Sequence, residues 1–173
     1  MSSGRAYSIV VARAFLEGAR GIVNSGRSLT GADLKVIHDN CHTAIEHALK
    51  YLLQSAGFSE RELRQCGHDL DKLARLLFEC EEDVPIGNRL YSRPPTSFRG
   101  IVLENKNDGA RSTFGDFLEQ LRDKASRYPS EVRYGETIAT FPPEIWVQAA
   151  EKFIEWAKTK AGKIRRVRRG THY

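Results

Sequence analysis

Cysteine is scarce in this chain: three in 173 residues, Cys41, Cys66 and Cys80. An odd number of widely spaced thiols gives neither a disulfide framework nor the paired spacing of a zinc site, so reduced thiols in the cytoplasm are the expectation. Long apolar runs are also missing. No stretch approaches the roughly 18 apolar residues of a membrane span, and the opening MSSGRAYSIVVARAF has too short an apolar run for a secretory signal. No GxSxG, CxxC or phosphate-cradling Gly-rich loop occurs, and there is no internal repeat. Neither a membrane partner nor a cofactor is expected.

What is present is mostly helical pattern. Within DLKVIHDNCHTAIEHALKYLLQSAGF, Asp33 to Phe58, apolar residues fall at Leu34, Ile37, Cys41, Ile45, Ala48 and Leu52. Steps of three and four put them on one face of a helix. Thr30 or Asp33 suits its N-cap and Gly57 its end. A first helix is expected over Arg5 to Asn24, where Gly18 and Gly21 either weaken it or admit a close neighbour. A third begins at GHDLDKLARLLFE, with His68 or Asp69 at its cap, after a polar linker from Ser59 to Gly67. A fourth spans about Ser112 to Arg127, and a last one runs from Glu144 to about Lys160 behind Pro142 and Pro143. The predicted fold is therefore all-α, an antiparallel up-and-down bundle of about five helices.

Two regions fall outside that pattern. Glu81 to Arg111 is broken by Pro85, Gly87, Pro94, Pro95, Gly100 and Gly109 and reads as one long irregular insertion. There Arg89, Arg93 and Arg99 alternate with Tyr91 and Phe98. That mixture either stacks on single-stranded nucleic acid or belongs to a partly ordered loop. The second region is the end of the chain. The 16 residues from Lys158 to Tyr173 hold seven Lys and Arg and no acid. Setting those seven aside from the chain's 27 basic residues leaves 20 against 22 acidic ones, so the net charge of +5 is a property of the tail. The division expected is a helical domain over 1–162 and a flexible basic tail over 163–173, whose Arg165, Arg166, Arg168 and Arg169 are candidate phosphate contacts.

The long helix carries the densest polar chemistry. His38, His42 and Glu46 are spaced i, i+4, i+8 on one face, with His47 beside them. The spacing could hold a metal, but HExxH order and a fourth ligand are missing, and no metal is assigned. A dimer face or groove lining His42, Glu46 and Lys50 is the stronger reading. Glu46 and Lys50, four apart in the favourable order, also suffice as a surface ion pair.

Three blocks in order, HTAIEHALKYLLQSAGF (His42 to Phe58), GHDLDKLARLL (Gly67 to Leu77) and SRYPSEVRY (Ser126 to Tyr134), followed by a closing helix, resemble a HEPN domain over most of 5–161. The resemblance implies an α-bundle that usually forms a homodimer, with RNA or nucleotide as ligand. It also implies settings such as toxin–antitoxin or defence systems, with an antitoxin or a nucleotidyltransferase as partner. Many members are metal-independent ribonucleases whose signature is an Arg, four to six residues, then a His. After Arg127 that window holds Arg133 and Tyr134 and no histidine. The spacing does occur from Arg61 to His68, and from Arg165 or Arg166 to His172. The leading expectation is thus a non-catalytic binding module, contacting its ligand through Arg127, Tyr128, Arg133, Asp69 and the tail. The alternatives are an endoribonuclease using His68 with Arg61, or a histidine of the long helix with Arg127, and a structural partner of a nucleotidyltransferase.

Overall fold

The computed structural model describes residues 6–125 and 141–167. Its spine is the long helix. Apolar residues on the helical period, a reciprocal cap between Thr30 and Asp33, and a left-handed Gly57 (φ 113°) set its limits, α2 Gly31–Ala56. Thirteen of its residues are buried, more than one face of a surface helix supplies. Helix α1 (Ile9–Val23) and the last helix (Pro143–Lys160, numbered α6 below) pack on it and on each other. At Gly18 a Cβ would stand 3.0 Å from the Asn40 side chain, so this glycine serves the close approach of α1 to α2.

Short helices α3 (Glu60–Gln65) and α4 (Leu70–Arg75) follow, capped by Ser59 and Asp69, and a 3-10 turn at Leu76–Glu79 leads on. Helix α5 (Phe114–Ala125) packs against α4 and a 3-10 turn at Ser97–Gly100. The core there is aromatic: Phe114 and Phe153 stack with centroids 4.9 Å apart, and Phe98 meets Phe153 edge-on at 6.0 Å.

The all-α expectation is overturned: helices make up 61% and strands 15%, in two small antiparallel sheets. The stretch read as irregular supplies four strands, β1 (Cys80–Ile86), β2 (Arg89–Arg93), β3 (Val102–Glu104) and β4 (Arg111–Thr113). Its breakers are turns between strands. Gly87 (φ 59°) and Asn88 join β1 to β2, with Ile86 opposite Arg89. Gly109 (φ 71°) lies in the connection from β3 to β4. Phe98 is a fully buried plug between them.

The chain end is also built in. Strand β5 (Ile164–Arg166) pairs antiparallel with β1, giving the sheet order β2-β1-β5. Residues 164–166 are therefore sheet, where the sequence suggested a flexible tail. Arg168 and Arg169 lie outside the described residues, as do Arg127, Tyr128 and Arg133. Among the described residues, no helix is long and apolar enough to cross a membrane.

Gly57→Ala forces a Cβ into a left-handed conformation and is expected to destabilise the fold by about 1–2 kcal/mol. Gly21→Ala, in the helix interior where a Cβ meets nothing within 4 Å, is expected to stabilise by up to about 1 kcal/mol. Urea unfolding of both variants measures this, and equal midpoints would refute it.

Candidate functional site

Residues four apart on α2 lie one above the other, so Glu46 and Lys50 meet whether they are buried or exposed. Here they are buried: the Lys50 side chain is 6% exposed and that of Glu46 8%. Lys50 Nζ donates to Glu46 Oε1 at 2.6 Å and to the carbonyl of Gly67 at 2.9 Å. The ring of Tyr7 covers the ammonium, its centroid 5.3 Å away. The surface ion pair and the exposed dimer face expected for His42, Glu46 and Lys50 are thus replaced by an internal cluster. Burial comes from Tyr7 on one side and the connection between α3 and α4 on the other.

The second carboxylate oxygen reaches His68. Its Nδ1 lies 2.9 Å from Glu46 Oε2. Burial pushes the Glu46 carboxyl up, but hydrogen bonds from Lys50 and His68 outweigh it and hold it below the ordinary carboxylate value. An ionised carboxylate only accepts, so His68 Nδ1–H donates. In the neutral imidazole that leaves Nε2 as the acceptor. The His68 side chain is 54% exposed, whereas its partner is closed off.

His42 completes the cluster from below. Its Nδ1 stands 4.0 Å from Glu46 Oε2, and the ring is hydrogen-bonded to the His68 backbone. Burial pushes its pKa down to about 4, against the pull of Glu46. One turn earlier, burial likewise holds His38 at about 4, where it stacks on Trp146 with centroids 4.7 Å apart. Both imidazoles are neutral core groups at pH 7.

The other candidates lie elsewhere. Arg61 is exposed on α3, where it lines an open groove with Glu60, Arg64 and Gln65. The cation beside the His68–Glu46 pair is Lys50, not Arg61. Asp69 accepts from the Lys72 amide at 2.9 Å and is the cap of α4. Arg165 is clamped to both Asp83 oxygens at 2.8 and 3.0 Å and reaches Ser92 Oγ at 3.0 Å. Arg166 donates to Glu62 at 2.8 Å and lies 4.0 Å over the Phe58 ring centroid. These two arginines neutralise the acids of the body, which removes them as free phosphate contacts.

Cys41, Cys66 and Cys80 are buried and unbridged. Among the described residues, no group of three or more His, Cys, Asp and Glu is placed to hold a metal. The sequence reading missed Tyr7 and the Gly67 carbonyl. A backbone acceptor leaves no trace in residue type, but the Glu46–Lys50 spacing followed by GHD gave a partial signal. Searches of protein-family models, curated proteins and solved structures returned no match to this chain.

Proposed function

We propose that the chain is a non-catalytic, HEPN-like helical module that binds RNA, with His68 as a ligand-facing group. The observation that carries this is the asymmetry of the cluster. Glu46 and Lys50 are buried and neutralise each other, while His68 is held by Glu46 through Nδ1 and is half exposed. A half-exposed ring already fixed by Glu46 can stack on a base or accept from a base-edge N–H at little further ordering cost. The three separate, buried thiols fit a reducing compartment, hence the cytoplasm.

One observation favours a second reading, a metal-independent endoribonuclease. A carboxylate that orients a histidine is also the arrangement that lets imidazole take the proton of a ribose 2′-OH. Against it, Lys50, the cation of the cluster, is already occupied by Glu46 and Gly67.

End-labelled single-stranded RNA incubated with the protein in EDTA, then run on native and denaturing gels, separates the two. The expected result is a retarded but intact strand, with binding weakened roughly tenfold in His68→Ala. Cleavage by the wild type and none by the variant would replace this reading with the nuclease. An unretarded, intact strand would end both.

A further inference from the structure

The hairpin, read from sequence as part of a long irregular insertion, orders its residues by face. Side chains alternate along a strand, and residues directly opposite in an antiparallel pair share a face. The register sets Ile86 against Arg89, Val84 against Tyr91 and Glu82 against Arg93. Arg89, Tyr91 and Arg93 therefore lie in a row on one face of β2, with Val84 and Ile86 beside them. On the opposite face Ser92 donates to Asp83 at 2.7 Å and Arg165 clamps the same carboxylate, while Leu90 is exposed. Every residue of β2 is exposed and the strand is the sheet edge, so the row faces solvent.

Its charge is positive on balance. Glu82 is the acid that answers it, and that carboxylate already binds Lys160 through Oε2, with Arg93 3.6 Å from Oε1. One acid thus faces two cations. Arg89 makes no ion pair among the described residues. Phe98 and Arg99, grouped with this motif in the sequence, do not belong to it: Phe98 is core, and Arg99 lies over the rings of Phe78 and Phe98.

We propose that the Arg89–Tyr91–Arg93 row of β2 binds single-stranded nucleic acid, with a base stacked on Tyr91 and the flanking phosphates on the two arginines. Alternate strand residues stand about 6.7 Å apart, so Arg89 and Arg93 are about 13 Å apart, a span of about two steps of an extended nucleic-acid backbone. An aromatic flanked on both sides by guanidinium groups thus suits a base stacked midway between phosphates about two steps apart, and the stack is tolerant of sequence. A second copy of the chain fits worse, because antiparallel β2–β2 pairing about Tyr91 would set Arg89 against the copy's Arg93. The proposal rests on the RNA-binding reading above and assigns it a contact surface apart from His68.

The test is fluorescence anisotropy of a labelled oligo-uridine 12-mer, titrated with the full chain and its variants at several salt concentrations in EDTA. Tyr91→Ala is expected to weaken binding roughly tenfold. Arg89→Ala combined with Arg93→Ala is expected to reduce the log–log salt slope by about 1.4, two contacts at 0.7 each. Unlabelled duplex RNA is expected to compete poorly. Circular dichroism and melting confirm that the variants, all at exposed positions, are folded. Wild-type binding that both hairpin variants retain, with an unchanged slope, would overturn this proposal and leave RNA binding at His68 standing. Weakening by the hairpin variants but not by His68→Ala would keep the hairpin and remove His68. Competition by polyglutamate as complete as by unlabelled RNA would reassign the row to an acidic protein segment. No binding by the wild type would overturn both.

Discussion

Glu46→Leu is expected to destabilise the fold by about 3–5 kcal/mol, because it leaves the Lys50 ammonium buried without its counter-charge. A domain of this size is stable by only about 5–15 kcal/mol, so the loss is about a fifth of the total at the least. The partners that remain to Lys50, the Gly67 carbonyl at 2.9 Å and the Tyr7 ring at 5.3 Å, are dipolar and cannot replace a carboxylate. The same variant strips His68 of its anchor and is expected to weaken RNA binding as well. Adding Lys50→Leu should recover most of the stability, since apolar residues of similar volume often match a buried ion pair. About 1 kcal/mol should stay lost, because the Gly67 carbonyl loses its donor. Urea unfolding at pH 7 of the two single variants and the double gives the coupling directly. A cost below about 1 kcal/mol for Glu46→Leu would mean that Lys50 swings its charge out to water. The cluster would then be an ordinary surface pair.

That cluster also marks where the sequence was legible and where it was not. The extent of α2 could be read because period, cap and stop are local: Thr30, Asp33 and Gly57 each act within a turn of the helix end. Burial of Glu46 and Lys50 could not be read, since the i, i+4 spacing is the same on a wet face and a dry one. What dries it, Tyr7 and the Gly67–His68 segment, lies 39 positions before and 22 positions after Glu46 in the chain. His68 was singled out by its spacing from Arg61, yet the partner it finds is a carboxylate from α2. The strands failed for a related reason. β3, β4 and β5 are three residues each, too short for a period of two to register, and β5 meets β1 only across some 80 residues. The β1–β2 hairpin did carry a local signal, Gly87-Asn88 between two β-rich runs, which the density of prolines and glycines around it obscured.

Acidification is expected to destabilise this protein well before its carboxylates titrate. His38 and His42 have folded pKa values of about 4, against an ordinary 6.5, because burial disfavours the imidazolium. Between those values the unfolded chain takes up protons that the folded chain refuses. Stability is therefore fully present above about pH 6.5 and falls as the pH drops toward 4. With two such groups the slope in mid-window approaches about 2.7 kcal/mol per pH unit, and the loss from pH 7 to pH 4.5 about 5 kcal/mol. His47, also pushed down by burial, acts in the same direction. Glu46 adds its own loss lower still: its folded pKa is depressed, so its contribution holds above the unfolded carboxylate value and disappears as the pH falls through the folded one. The groups around the two rings do not cancel this. His42 faces Glu46, Lys50 and His68; the Glu46 carboxylate and the hydrogen bond to the His68 backbone favour the imidazolium, but burial outweighs them, while His38 faces the uncharged Trp146. Urea midpoints of the wild type and of His38→Gln, His42→Gln and their double, taken from pH 7.5 to 4.5, make the test. Each substitution should lower stability at pH 7 but flatten the profile, and the double should be nearly level down to pH 5. A double variant as steep as the wild type would place the acid sensitivity elsewhere and refute the assignment of these two histidines as neutral core groups.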